Sequence, residues 1–142
     1  MIEFAQSGLK PLVKFARRMG IAWHVLVDGD EAGKKYAATV RSLLNNDKGL
    51  ERDHLTALPA LDMEHFMYRQ GFADVYHRVA QLPEGIRMNE RRVIIKAIHR
   101  SSKPDLAIEV ALEAGRRGVE AVPPLLRSMF SRVLWLARGR AD

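Results

Sequence analysis

Residues 21–33 read IAWHVLVDGDEAG, an almost unbroken apolar run that ends in acidic residues and glycines. Runs of this kind, rich in branched side chains, are typical of strands that are buried on both faces in parallel sheets. The apolar positions Tyr36, Val40 and Leu44 follow at helical spacing and predict a helix over 33–44. A strand followed by a helix is the repeating unit of a parallel sheet. The stretch therefore predicts an α/β fold.

The alternation of strand and helix continues for one more unit and then gives way to helices. Residues 55–61 predict a second short strand, and residues 62–70 predict a helix that stops at Gly71. The polar residues 45–53 between the two units predict a surface loop. Beyond this point the pattern is helical throughout, with helices predicted over 89–102, 104–115 and from 123 onward.

The predicted fold class is therefore α/β: a parallel sheet with flanking helices, followed by a C-terminal helical extension. We expect an α/β part over residues 1–80 and a helical part over 81–142 that packs on it. At the start, residues 2–5 alternate like a strand, and a helix follows with Pro11 in its first turn. The apolar positions of this helix at helical spacing are Leu12, Phe15, Ala16 and Met19.

Composition narrows the class of protein. Hydrophobic residues make up 47% and charged residues 28%, which is ordinary for a soluble folded domain. The absence of cysteine excludes disulfides, thiolate zinc sites, iron–sulfur clusters and a cysteine nucleophile. No apolar stretch approaches the ~20 residues of a membrane helix, and the start does not resemble a signal peptide. We expect a cytoplasmic protein without membrane contact, and its net charge of +6 favours polyanionic partners.

Two carboxylates stand together at the end of the apolar run. Asp28 and Asp30 are two positions apart, so in an extended segment they point the same way, at the strand end where α/β sheets bind ligands. Their repulsion and desolvation favour a bound cation, and oxygen ligands suit Mg²⁺ or Mn²⁺. Gly29 and Gly33 leave room for backbone bends. The alternative is that Asp30 only caps the next helix.

A second acidic pair, Asp62 and Glu64, follows the second predicted strand. Consecutive strand–helix junctions of a parallel sheet lie along one edge, so we expect this pair to face Asp28 and Asp30. Two metal ions ~3.5–4 Å apart at such a site would suit phosphodiester hydrolysis. The alternative is that Asp62 caps its helix while Glu64 interacts favourably with the helix dipole.

Basic residues form two helical stripes that predict contacts with a phosphate backbone. Lys103 stands apart because it precedes Pro104 at a junction of two helices, where it is suited to neutralise a developing phosphate charge. The five histidines have no ligand spacing, and we expect structural or solvent-exposed roles for them. The stripes consist of Lys10, Lys14, Arg17 and Arg18 on the first helix and of Arg92, Lys96 and Arg100 on a later one.

Three motifs in this order resemble those of a known family. Residues 23–34, WHVLVDGDEAGK, resemble the Asp-x-Asp motif of Toprim domains. Residues 58–66, LPALDMEHF, resemble the acidic segment that follows in the overcoming-lysogenization-defect (OLD) nucleases. Residues 101–107, SSKPDLA, resemble the lysine segment in the helical extension of those nucleases. The similarity covers nearly the whole chain and is strongest to the bacterial ATP-dependent endonucleases of the OLD family.

This resemblance implies a Toprim-like (Rossmann-like) sheet and a metal-dependent DNA endonuclease of the two-metal type. It implies that Mg²⁺ or Mn²⁺ is bound by Asp28, Asp30, Asp62 and Glu64, and that Lys103 is catalytic. Members of the family also carry an N-terminal ABC-type ATPase domain, through which ATP would act. A second copy of the chain, in a homo-oligomer, is a further candidate partner. The first strand of a Toprim domain ends in a glutamate that this chain lacks. We therefore expect a truncated C-terminal part that is inactive alone.

Two other functions remain open from the residues themselves. One is a non-catalytic module that binds nucleic acid, in which the carboxylates only cap helices. The other is a metal-dependent phosphatase or phosphotransferase, which uses the same carboxylates on a small phosphate ester. The binding module, unlike the endonuclease, should bind no metal. The phosphatase or phosphotransferase, unlike the endonuclease, should turn over a small phosphomonoester.

Overall fold

The computed structural model describes residue 2 and residues 8–83 and 86–139 of the chain. The strand predicted over 2–5 therefore lies outside the described residues apart from Ile2. The contacts divide the chain into two compact units, which are Met1–Pro59 with Leu125–Asp142 (unit 1) and Ala60–Pro124 (unit 2). The predicted division at residue 80 stays a prediction.

The described part of the chain is mostly helical and contains one small sheet. A kinked segment, Tyr68–Phe72, joins the fourth and fifth helices, and a 3₁₀ turn lies at Val119–Ala121. None of these helices is long and apolar enough to cross a membrane. The elements are α1 (Leu9–Arg18), β1 (Val25–Val27), α2 (Glu31–Leu43), α3 (Lys48–His54), β2 (Leu55–Ala57), α4 (Met63–Met67), α5 (Ala73–Val79), α6 (Glu90–Arg100), α7 (Lys103–Arg117) and α8 (Pro124–Ala137).

The sheet of unit 1 consists of β1 and β2, which pair in parallel with Val25 opposite Leu55. The predicted parallel pairing is thus confirmed, and a helix follows β1 as expected for an α/β fold. Both strands are shorter than predicted. One further bond extends the ladder, from the N–H of Leu58 to the carbonyl of Val27 (2.9 Å), and Pro59 then has no N–H with which to continue it.

The core of unit 1 lies between the strands, α1 and α2. Val40 and Leu44 are buried as the spacing of α2 predicts. The first helix packs on a different face from the one that its apolar spacing suggests, because Phe15 and Met19 are exposed. The buried residues of this cluster are Leu9, Val13, Val25, Val27, Ala37, Val40, Leu44 and Leu55.

The loop predicted over 45–53 is wrong, because most of it forms α3. The side chain of Asp47 caps this helix by accepting hydrogen bonds from the N–H groups of Gly49 (2.8 Å) and Leu50 (3.2 Å). His54 is the buried residue of α3. A short polar helix with a single buried histidine has no apolar stripe, which explains why its sequence resembles a loop.

Unit 2 is a helical assembly built around the kinked segment. Gly71 has a φ of +105°, which favours glycine, and this is where the helix was predicted to stop. Arg117 of α7 donates to the carbonyl of Gly71 (2.7 Å) and to both carboxylate oxygens of Asp74 (2.8 Å each), and its guanidinium lies over the Phe72 ring. The buried core residues here include Phe66, Phe72, Val75, Tyr76, Val93, Ile94, Ala97, Leu106 and Val110.

The helices of the second half begin close to their predicted positions. Asn89 caps α6 by accepting from the N–H of Arg91 (2.8 Å), and Ser102 caps α7 by accepting from the N–H of Asp105 (3.1 Å). Helix α7 continues past its predicted end and stops before Gly118, which has a φ of +96°.

Candidate functional site

The first acidic pair lies at the carboxyl end of β1, in the turn that enters α2. Asp28 follows the strand directly and is exposed. Asp30 is the N-cap of α2, and its Oδ1 accepts a hydrogen bond from the N–H of Gly33 (2.7 Å). The capping role considered for Asp30 is therefore present. A carboxylate has a second oxygen with its own lone pairs, so capping through Oδ1 is compatible with ligation through Oδ2.

Gly33 fixes the shape of this turn. A Cβ atom at this position would lie 1.8 Å from the carbonyl oxygen of Asp28 and 2.5 Å from its carbonyl carbon. The first turn of α2 thus packs directly on the backbone of Asp28, and no side chain fits between them. The close approach holds the two ends of the turn, Asp28 and Asp30, in one place.

The second acidic pair lies in unit 2, where Asp62 is the N-cap of α4. Its Oδ1 accepts from the backbone N–H of His65 (2.8 Å) and pairs with Nδ1 of the His65 ring (2.7 Å). Burial tends to raise the pKa of Asp62, but the bonds from His65 outweigh it and hold the pKa below its ordinary value. Glu64 is half-buried in the first turn of α4. Burial, followed by the charges of Glu64 and Asp62, raises the pKa of Tyr76.

The structure brings the two members of each acidic pair into one turn. Asp28 and Asp30 belong to unit 1, whereas Asp62, Glu64 and Lys103 belong to unit 2. The joint site of both pairs stays a prediction. No group of three or more histidine, aspartate or glutamate side chains suited to a metal ion occurs in the described ranges. An ion held by one pair would complete its coordination with water or phosphate oxygens, as Mg²⁺ commonly does.

Both basic stripes lie at the surface of their units. Arg17 donates from Nη1 to the carbonyl of Leu43 (2.9 Å), and Arg100 donates from Nη1 to Oε1 of Gln81 (2.6 Å). The other five side chains of the stripes form no ion pair with a carboxylate of a described residue; they are Lys10, Lys14, Arg18, Arg92 and Lys96. Exposed cations without such partners are available to phosphate groups.

Lys103 is the first residue of α7 and is exposed. The positive end of the helix dipole lies there, so a lysine contributes nothing favourable to the helix at this position. Ser102 caps the helix and Pro104 fixes its first turn. The backbone beside the Lys103 side chain is therefore well defined.

A polar cluster in unit 1 was not found from the sequence. His24 donates from Nδ1 to the carbonyl of Asp53 (2.8 Å), and its Nε2 is hydrogen-bonded with the Thr56 hydroxyl (2.8 Å). Burial lowers the pKa of His24, and the charges of Arg132 and His54 add to this effect. Nη1 of Arg132 lies 3.1 Å from Oδ1 of Asp53. The partners of His24 are too distant in sequence to be inferred from it.

The chain is similar to a longer protein. It is 84% identical, over all 142 residues, to the uncharacterized protein YbjD of Escherichia coli (strain K12), and it spans 26% of the length of that protein. A comparison with protein-family models finds no match. No solved structure matches the chain.

Proposed function

We propose that this chain is the C-terminal catalytic part of a cytoplasmic, ATP-dependent DNA endonuclease of the OLD family. The observation that carries the proposal is the turn from Asp28 to Asp30. It places two carboxylates at the carboxyl end of a parallel strand, with the backbone of Asp28 packed against the first turn of α2. Ligands of α/β folds bind at this end of the strands.

The donor set fits a hard divalent cation. Asp28 and Asp30 offer only oxygen ligands, which suit Mg²⁺ or Mn²⁺. In this proposal Asp62 and Glu64 supply the ligands of the second ion. Such ions, when bound, polarise the scissile phosphate and lower the pKa of a bound water. The protein contributes by holding the carboxylates in place, which is the function of the caps formed by Asp30 and Asp62.

The cations of α1 and α6 would hold the phosphate backbone. Contacts with phosphates position DNA without reading its base sequence. They also make the affinity for DNA depend on the salt concentration. Lys103 would neutralise the negative charge that develops on the phosphate in the transition state. In this proposal the whole protein also carries an N-terminal ABC-type ATPase domain and forms a homo-oligomer. The length of YbjD, about four times that of this chain, leaves room for such a domain.

One observation favours a second candidate, a non-catalytic module that binds nucleic acid. Asp30 and Asp62 both accept N-cap hydrogen bonds, so helix capping alone explains their presence. In this alternative the basic stripes bind DNA and the carboxylates bind no metal. The two candidates differ in what Asp28 does, because the N-cap of the helix that follows Asp28 is Asp30.

The proposal is tested by cleavage of supercoiled plasmid in the presence of Mn²⁺. The enzyme in this assay is the whole protein that, in the proposal, contains this chain and the ATPase domain. Asp28→Asn should lower the rate at least about a hundredfold, which is the order of loss when one group that stabilises the transition state electrostatically is removed. Asp47→Asn is the matched control, because Asp47 caps α3 and asparagine caps equally well. Equal cleavage by both variants would contradict the proposal. DNA binding without any metal-dependent cleavage would favour the binding module.

A further inference from the structure

Helix α1 is held in unit 1 by a buried face and by a side-chain hydrogen bond to the end of α2. Leu9 and Val13 are buried in the core. Arg17 donates to the carbonyl of Leu43 at the end of α2. Lys10, Lys14, Phe15 and Arg18 are exposed and form the outward surface of this helix.

Two of the three cations on this surface, Lys10 and Lys14, do not stabilise the helix, whereas Arg18 lies in its last turn, where the helix dipole favours a positive charge. Lys10 lies in the first turn, where the helix dipole disfavours a positive charge. Lys10 with Lys14, and Lys14 with Arg18, are like-charged pairs at i,i+4, which weaken a helix. The ten residues of α1 include no carboxylate that would offset them. A polyanionic partner explains a set of cations that repel each other in the folded protein.

The same surface carries an exposed aromatic side chain. Phe15 is 56% exposed, and Met19, four residues further on, is 61% exposed. Residues three apart are neighbours on the surface of a helix, so Phe15 lies next to Arg18. An aromatic ring bordered by cations that pair with no carboxylate of a described residue is suited to a single strand, because bases stack on the ring while cations follow the phosphates.

We propose that the outward surface of α1 binds single-stranded nucleic acid, with Phe15 stacking on a base and Lys10, Lys14 and Arg18 contacting phosphates. The inference deepens the proposed function, on which it rests for the class of partner. A single strand is favoured over a duplex because paired bases are already stacked and offer no free face to Phe15. A single strand is also favoured over a membrane. A helix that lies on a membrane buries its apolar face in the lipid, whereas Leu9 and Val13 of α1 are already buried in the core of unit 1.

Fluorescence anisotropy with a labelled oligothymidine of roughly 12 nucleotides tests the inference on the 142-residue chain. EDTA in the buffer keeps binding separate from cleavage. Phe15→Ala should weaken binding about tenfold, the range for loss of one stacked base. Phe130→Ala in α8 is the matched control, since that ring is 51% exposed in the same unit. It should leave the affinity unchanged. Phe15→Trp should restore binding.

The outcomes separate the inference from its alternatives. An equal loss in the Phe15 and Phe130 variants, or no loss in either, would overturn it. A loss of the same size with a duplex of equal length would also overturn it, because stacking would then not be the cause. Tighter binding to phosphatidylserine vesicles than to the oligonucleotide would assign the surface to a membrane instead. If Phe15-dependent binding persists while the longer protein cleaves nothing, only the endonuclease proposal fails.

Discussion

The Cβ position of Gly33 lies 1.8 Å from the carbonyl oxygen of Asp28, far inside any contact that a real side-chain carbon makes. The neighbour is backbone, so no rotamer change relieves the clash. Gly33→Ala should therefore lower the free energy of unfolding by about 1–3 kcal/mol, the range for an overpacked site. Chemical denaturation of the variant measures this change.

Gly115→Ala is the control for this substitution. Gly115 lies within α7, and a Cβ atom there would meet nothing within 4 Å. Alanine is the better helix former, so this variant should gain up to about 1 kcal/mol. A Gly33 variant as stable as the wild type would mean that the turn from Asp28 to Asp30 is not closed in the way described.

Acid should weaken unit 1 through His24. Burial lowers the pKa of His24 below its ordinary value of 6.5, so the unfolded chain binds the proton more readily than the folded one. The stability that the neutral ring contributes is present above about pH 6.5 and is lost as pH falls through the folded pKa. His24→Gln should therefore reduce the decrease in Tm between about pH 7.5 and about pH 5.

An exposed histidine provides the comparison for His24. His99 lies on the surface of α6, so His99→Gln should leave the pH dependence of Tm as in the wild type. The same decrease in Tm in the His24 variant and in the wild type would show that this ring does not couple pH to stability.

The pair of Arg132 and Asp53 should anchor α8 to α3. Oδ1 of Asp53 is fully buried and has no hydrogen-bond partner among the described residues, and Nη1 of Arg132 lies 3.1 Å from it. Arg132→Met would leave this carboxylate without its cation, at a cost of about 1–3 kcal/mol. Both side chains retain some exposure, 27% for Arg132 and 16% for Asp53. The expected cost is therefore below that of a fully buried pair.

A double-mutant cycle tests this anchor. Asp53→Asn combined with Arg132→Met should lose less stability than the sum of the two single variants, because the neutral side chain no longer needs the cation. Arg127→Met, an exposed position on the same helix, should change stability by less than about 0.5 kcal/mol. Strict additivity of the two changes would contradict the anchor.

The elements that were predicted correctly are those with a strong local signal. The apolar run at 21–27 predicts β1, and the spacing of Val40 and Leu44 predicts α2, because each pattern is contained in one short stretch of sequence. Helix α3 was missed because its buried residue is a histidine. For α1, apolar residues occupy two neighbouring faces, and only the tertiary contacts decide that Leu9 and Val13 are buried.

The candidate site was predictable in its parts but not in its arrangement. Asp28 and Asp30 occur together because they share one turn, and local sequence is enough to predict that. The meeting of His24 with Asp53 and Arg132 depends on residues from three distant segments. No local pattern contains that information. The same reason leaves the joint site of the two acidic pairs as a prediction.

The most direct test of the account is a calorimetric titration of Mn²⁺ into the 142-residue chain. Saturable binding with a Kd below about 1 mM is expected. Asp30→Asn should weaken it at least about tenfold while preserving Tm, since asparagine still caps α2. Asp47→Asn should bind as the wild type does. Equal Mn²⁺ affinity in the Asp30 variant and the wild type, or no saturable binding by either, would contradict the account.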